Sequence, residues 1–373
     1  MKTEILKLDP RRPDPDMIDR AAGAVRDGEL VAFPTETVYG IACRAVPASV
    51  SRLATLKGSP PERPYSVHIA EKADLERYVR QTGYRARKLV DSAWPGPLTV
   101  VFEISPQDRR CAEKLLGSGT FRLLYDRDSI GIRCPDHPVA GELLRRAGVP
   151  VVAPSANPAG RSPPTDAASV LSYFQGRIPL VLDAGKCSLR TSSTVVRAAK
   201  RNLRILRQGA LPARDVRRMW QVAVLFVCTG NTCRSPMAEG FFRHCMAEKI
   251  GCEVDNLAES GYTTISAGTA AESCLPAAPE AIEACAAHDV DIRTHRSARL
   301  GRELIARSDI IFTLADGHRR QVVELSPESE KRCRRLDPNA DVPDPVGRSR
   351  SVYNECAVLI RRAVKAVVDE IEP

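Results

Sequence analysis

The stretch VLFVCTGNTCRSPMAE, residues 224–239, runs apolar as far as Cys228, bends through small and polar residues, and closes on Arg234, Ser235 and Pro236. An apolar run that gives way to Ser-Pro predicts a strand that ends directly before Cys228 and a helix starting near Ser235. Gly230 and Asn231 are the residues that best tolerate positive φ, so the loop between can curl and turn successive backbone N–H groups inward as an anion nest. Those N–H groups, the helix dipole and Arg234 would all stabilise a thiolate at Cys228. A thiolate facing a bound phosphate is a nucleophile already in place.

The residues that follow alternate in type. Strand patterns at 222–227, 263–267 and 310–314 are separated by helical patterns at about 235–249, 279–287 and 317–325. This alternation predicts a doubly wound parallel sheet, whose ligand crevice lies at the carboxyl ends of the strands. A last helix repeats apolar residues at Val352, Cys356, Leu359, Ile360, Ala363, Val367 and Ile371, the 3.6-residue period of a face that covers the sheet.

The run CTGNTCRS resembles the C-x5-R signature of the low-molecular-weight protein tyrosine phosphatases, and SAGT (266–269), HRSARL (295–300) and SDIIFTL (308–314) follow in that family's order. The resemblance implies that Cys228 attacks phosphorus, that Arg234 and the loop N–H groups of Thr229, Gly230, Asn231, Thr232 and Cys233 hold the phosphoryl oxygens, and that Ser235 supports the thiolate. It also implies a general acid in a DP pair, which VPDPVG supplies as Asp344; Asp337 and Asp341 are the neighbouring acids. Thr232 stands where the arginine-phosphatase members carry threonine, which keeps phosphoarginine beside phosphotyrosine as a substrate. Val346 follows the DP pair where the family usually has an aromatic ring. Arsenate reductases share the loop but need further cysteines after the third strand, and LADGHRRQ has none. Cys233 reads either as a reversible disulfide partner of Cys228 or as a packing residue.

More than two hundred residues precede this loop. Short apolar runs at 30–33, 98–102, 149–153 and 180–182 alternate with helical patterns such as 139–147, which predicts a second α/β domain. The segment GALPARDVRRMWQ (209–221) combines Gly, Pro and charge, and places the boundary near residue 215, giving domains 1–214 and 215–373. FPTETVYGIAC (33–43), LKGSPPERPYSVHIA (56–70), WPGPLTVVF (94–102), IGIRCPDHP (130–138), APSANPAG (153–160), SSTVV (192–196) and ILRQGAL (205–211) occur in the order of the YrdC-like family, the threonylcarbamoyl-AMP synthases.

That resemblance implies a twisted α/β fold and condensation of L-threonine, bicarbonate and ATP, with Mg2+ accompanying ATP, as a step of tRNA modification. It assigns Lys57, Ser155, Asn157 and Arg207 to ATP, and Thr35, His68, Arg133 and Ser193 to threonine. Two positions depart from the pattern: Ser59 stands where an arginine is expected, with Arg63 and Arg161 as possible substitutes, and Pro163 stands where a serine usually meets the nucleotide. The sequence therefore leaves two readings of this half, a synthase or a nucleotide- or RNA-binding module attached to a phosphatase.

Composition sets the outer bounds. The chain has 373 residues, 43% hydrophobic and 27% charged, an ordinary globular balance. No apolar run approaches the roughly 18 residues that would span a membrane, and residues 1–10 lack a signal-peptide core, so the expected location is cytoplasmic. The net charge of +9 comes from scattered Arg and Lys, which reads as solvated surface, with anionic small molecules or RNA as the other partners it would suit. Twelve cysteines without a CxxC pair predict neither a zinc site nor a disulfide framework. A phosphorylated protein is the implied substrate of the second half, which needs no cofactor.

Overall fold

The computed structural model describes residues 2–58, 64–199 and 202–371. The chain forms two compact units, Met1–Trp220 and Gln221–Pro373. The break falls after Trp220 rather than at residue 215, because the helix Ala213–Trp220 buries Val216 and Trp220 in the core of the first unit. Its Gly-Pro-charged lead looks like a linker in sequence, yet its two apolar side chains, four residues apart, bind it to what precedes.

The first unit is built on an eleven-stranded mixed sheet among the described residues. Its central strands are buried on both faces, and the side-chain alternation sorts them into two cores. Val31, Phe33, Leu180 and Leu182 face one core together with the helices Pro15–Arg26 and Pro138–Ala147. Ala32, Val181, Val67 and Val100 face the other. Two pairings matter for function. Val67–His68 runs parallel to Ser129–Arg133 with His68 beside Arg133, and Leu98–Glu103 runs parallel to Thr194–Ala198. The expected strand at 149–153 is only Val151–Val152, bridging Gly40–Arg44 to Val67–His68.

The second unit is a four-stranded, all-parallel sheet in the order Tyr262–Gly268, Val222–Cys228, Ile310–Thr313, Cys333–Arg335. The last strand, three residues of mixed polarity, has no readable period. Along Val222–Cys228 the alternation again splits the core. Val224, Phe226 and Cys228 face the helices Arg234–Ile250 and Arg350–Glu370, while Leu225 and Val227 face Ile305 and Val322 on the opposite side. Phe226 is wedged between Phe242 and Phe312, with ring centroids 5.6 and 5.7 Å away. Burying such a ring contributes about 1.5–3 kcal/mol, and here it also fixes the strand that ends in Cys228. Among the described residues no helix is long and apolar enough to cross a membrane.

Candidate active sites

In the second unit the loop 229–233 joins the end of the strand Val222–Cys228 to the start of the helix Arg234–Ile250. Asn231 is the residue in the left-handed region, at φ +56°. Gly230 is not, contrary to the expectation that both would supply positive φ. Asn231 repays the strain through its side chain: Nδ2 donates to Ser235 Oγ and to Ser266 Oγ, both at 2.9 Å, and Oδ1 accepts from Ala298 N at 2.7 Å. His295 Nε2 holds its carbonyl at 2.8 Å.

This network surrounds the Cys228 sulfur. Ser235 Oγ accepts from Asn231, so its hydrogen is directed at Cys228 Sγ, 2.9 Å away. The Asn231 N–H points at the same sulfur from 3.2 Å. Both donors converge on the one buried sulfur. Ser266 passes its hydrogen on to Glu239 Oε2 at 2.6 Å.

Arg234 is 6% exposed and spends its donors on three acceptors. It reaches Val342 O at 3.2 Å and Thr229 Oγ1 at 3.3 Å, and forms an ion pair with Asp344, whose side chain is 46% exposed. Two hydrogen-bonded groups thus lie at this loop, Cys228 with Ser235 and Asn231, and Arg234 with Thr229 and Asp344. Cys233 packs behind the loop, its sulfur 3.3 Å from Tyr353 Oη, and burial pushes its thiol up. Thr232 presents its carbonyl to Ala278 N at 2.8 Å, which ties the 270–278 segment to the loop. Val346 is 63% exposed.

Sequence reasoning assigned no roles to Gly268, Ser266, His295 and His318. A Cβ on Gly268 would lie 2.4 Å from Thr229 O and 2.9 Å from Asn231 N, so this glycine lets the phosphate loop lie against its neighbouring strand. Gly268→Ala is expected to push the loop aside and to lower kcat/KM for an aryl phosphate by up to ~10²-fold, since sub-ångström placement carries that much in an oriented site. Steady-state hydrolysis, compared with Gly301→Ala where a Cβ meets nothing, checks it.

In the first unit a cavity of about 250 Å3 is lined by Thr35, His68, Arg133, Ser155, Ser193 and Arg207, six of the eight residues nominated from sequence. Arg133 Nη2 donates to Glu36 Oε1 at 3.0 Å and to Thr37 Oγ1 at 2.6 Å, forming an ion pair buried at both ends. Thr35 donates to Val38 O at 2.7 Å, and its oxygen lies 2.8 Å from Thr37 Oγ1. Arg207 donates to Ser193 O at 2.8 Å, and Ser193 Oγ lies 2.9 Å from Thr99 Oγ1. Burial, then Arg133, lowers the pKa of Arg207. Two guanidiniums against the single carboxylate of Glu36 leave the cavity cationic, suited to an anionic ligand. Two buried polar atoms of the Glu36–Arg133 pair beside it, Glu36 Oε2 and Arg133 Nε, have no protein partner.

Lys57 and Asn157 stand apart from the cavity lining. Lys57 Nζ donates to the carbonyls of Ser155 and Asn157, both at 2.6 Å, and burial lowers its pKa to about 8. Asn157 Nδ2 donates to Pro158 O and Arg161 O. These two side chains shape the 153–161 loop that carries Ser155. Pro163 is exposed, and Ser59 and Arg63 lie outside the described residues. Among the described residues no three His, Cys, Asp or Glu side chains are grouped to hold a metal ion; the donors here fit carboxylate or phosphate oxygens.

His68 makes the first unit sensitive to acid. Burial, then Arg133, depresses its pKa to about 3 from an ordinary 6.5, against one opposing hydrogen bond to Ser66 O. Below pH 6.5 the unfolded chain takes up a proton that the folded chain refuses, so this stability is complete above 6.5 and is lost progressively down to about pH 3, by at most about 1.4 kcal/mol per pH unit. Urea unfolding followed by tryptophan fluorescence reports this unit alone, because both tryptophans, Trp94 and Trp220, lie in it. His68→Gln is expected to flatten the dependence between pH 6.5 and 4.

Two family models match the chain. The Sua5/YciO/YrdC family model, described as telomere recombination, matches residues 23–209, and the low molecular weight phosphotyrosine protein phosphatase model matches residues 223–373. Over 200 residues the chain is 34% identical to the threonylcarbamoyl-AMP synthase of Pyrococcus abyssi, covering 53% of this chain and 56% of that one. It is 35% identical to that of Bacillus subtilis over 200 residues, covering 53% and 55%. The chain therefore spans little more than half the length of these curated relatives. A solved structure of a double variant of Pyrococcus abyssi Sua5 is 30% identical with a TM-score of 0.50, covering 60% of this chain and 71% of that one.

Proposed function

The chain belongs to the Sua5/YciO/YrdC family and continues into a low-molecular-weight phosphatase domain, and from that premise we propose a bifunctional enzyme. The first unit condenses L-threonine, bicarbonate and ATP into threonylcarbamoyl-AMP and pyrophosphate for tRNA modification. The second removes phosphate from phosphotyrosine or phosphoarginine in proteins. What carries the reading is convergence: residues nominated across some 170 positions, from Thr35 to Arg207, meet around one cationic cavity, while Cys228, Arg234 and Asp344 meet at a separate phosphate loop.

In the first unit the cavity arginines would hold the threonine carboxylate and the nucleotide phosphates, and Thr35, Ser155 and Ser193 would orient the remaining polar groups. His68, neutral at pH 7, adds no charge and can act as a hydrogen-bond partner. Mg2+ would travel on the phosphates of ATP. A second reading, a binding module without synthase activity, draws support from Lys57, whose amine is engaged with backbone carbonyls rather than turned into the cavity. Pyrophosphate release that requires threonine, bicarbonate and ATP together, and that is lost in Lys57→Ala, rejects the module; its absence in the unaltered protein rejects the synthase.

In the second unit Cys228 attacks phosphorus as the ester oxygen or guanidine nitrogen leaves with a proton from Asp344, giving a phosphocysteine. Water then attacks phosphorus, Asp344 takes its proton, and Cys228 departs as a thiolate with release of inorganic phosphate. Asp344 begins in contact with Arg234. An arriving phosphate dianion competes for that guanidinium, so substrate binding itself frees Asp344 to carry a proton. Thr232 supports phosphoarginine, and the aliphatic Val346 offers no ring to pack on either a phosphotyrosine or a planar guanidinium. Side-by-side hydrolysis of phosphoarginine and phosphotyrosine peptides tests this: a preference for tyrosine removes the role given to Thr232.

A further inference from the structure

We propose that His318 is a positioning residue of the phosphatase site: its Nε2 accepts a hydrogen bond from the Thr229 hydroxyl, so that Thr229 turns a lone pair to Arg234 and holds the guanidinium within reach of the phosphoryl group. The inference rests on reading the second unit as a phosphatase. His318 lies in the first turn of the helix Asp316–Leu325, at the carboxyl end of the strand Ile310–Thr313, and is 7% exposed. Its Nε2 is 2.9 Å from Thr229 Oγ1, and its Nδ1 is buried without a partner.

The direction of these hydrogen bonds follows from what each group can do. Arg234 can only donate, so Thr229 Oγ1 accepts from its Nη2 at 3.3 Å. The hydroxyl hydrogen is then free for an acceptor, and Nε2 of a neutral imidazole is the group at hydrogen-bond distance. An imidazolium would reverse this: Nε2–H would point at an oxygen already receiving a cation's N–H, placing two positive groups about one hydroxyl. The charged groups facing the imidazole are Arg234 from the phosphate loop, Asp341 and Asp344 from the 337–344 segment, and Asp316 on its own helix, whose N–H binds Asp341. Burial, then Arg234, lowers the pKa of His318, and the two aspartates oppose them. The neutral form therefore prevails at pH 7. As the pH falls below 6.5 toward the lowered value the imidazole charges, the Thr229 contact inverts, and Arg234 loses its guide.

The test uses the full chain and para-nitrophenyl phosphate, with His318→Ala, His318→Asn and Thr229→Val. At pH 7 His318→Ala is expected to lower kcat/KM about tenfold or more and to weaken inhibition by inorganic phosphate by a similar factor. His318→Asn, whose amide oxygen can accept the Thr229 hydroxyl, is expected to restore most of both and to fall less steeply than the unaltered protein between pH 6.5 and 5. Thr229→Val, which keeps the shape and removes the hydroxyl, is expected to reproduce His318→Ala, and the double variant to be no worse than either. A His318→Ala protein within twofold of the original in both readouts overturns the proposal. So does a loss in His318→Ala that Thr229→Val does not share, because His318 then only packs. Where His318→Ala does not fold, Thr229→Val decides alone by the same twofold limit. An unaltered protein that hydrolyses no aryl phosphate sinks the phosphatase reading instead, a result distinct from failure of the His318 relay.

Discussion

Cys228→Ser is expected to abolish phosphatase turnover, with kcat reduced about 10⁴-fold or more, as when the nucleophile of a covalent mechanism is lost. The reason is the difference between a thiol and an alcohol at one position. The site offers the sulfur the Ser235 hydroxyl at 2.9 Å and the Asn231 N–H at 3.2 Å, and a serine hydroxyl in that place is a far weaker nucleophile than a cysteine sulfur. Among the described residues no histidine or carboxylate is hydrogen-bonded to Cys228 to act as its base; the contacts on the sulfur come from Ser235 and Asn231. The substitution leaves the fold intact, because Asn231 keeps its bonds to Ser235, Ser266 and Ala298. An unchanged melting temperature beside a lost rate therefore isolates the chemistry. Cys233→Ser is the companion measurement: its sulfur faces Tyr353 behind the loop, so it should retain most activity. A Cys228→Ser protein within tenfold of the original rate would mean that a different group attacks phosphorus. Pyrophosphate release by the first unit should be unaffected, since no residue of the cavity is touched.

Much of this was legible in the sequence because it is local. A strand over 222–227, a helix opening near Ser235 and the loop between them are read from adjacent residues, and the 2-residue and 3.6-residue periods on either side set the layers. The sorting of Val224 and Phe226 from Leu225 and Val227 into opposite cores is that period made visible. What escaped was pairing over distance. Glu36 and Arg133 are 97 residues apart, and Thr229 and His318 are 89 apart. No periodicity links them, and only the crossing of strands brings them together. Lys57 shows a subtler limit. The family resemblance implies a phosphate ligand at Lys57, while two carbonyls of the 153–161 loop take its amine here. The edge strand Cys333–Arg335 is too short to carry a pattern, and Ala213–Trp220 looked like a linker because its contribution to the core is two side chains.

Arg133→Met is expected to destabilise the first unit by about 3–5 kcal/mol, the cost of removing one partner from a buried ion pair and stranding the other. Glu36 and Arg133 are both buried, and Glu36 already has one carboxylate oxygen without a protein partner. Without the guanidinium its charge would face only the low-dielectric interior and Arg207 across the cavity. The methionine fills most of the volume, so the loss reports charge rather than a void. Thr37 adds a smaller share, since its hydroxyl gives up a bond from Arg133 of 2.6 Å. The control is Glu36→Gln combined with Arg133→Met, which removes both charges and should recover most of the stability, because a buried pair contributes little beyond the desolvation it must offset. Urea unfolding followed through Trp94 and Trp220 reads the first unit without interference from the second. Function separates from stability in the same pair of proteins: the double variant refolds the cavity but lacks the cation, so threonine-dependent pyrophosphate release should remain lost while the unfolding midpoint returns. Equal destabilisation of the single and double variants would show that the stranded carboxylate is not the cause, and recovery of synthase activity in the double variant would remove Arg133 from the threonine site.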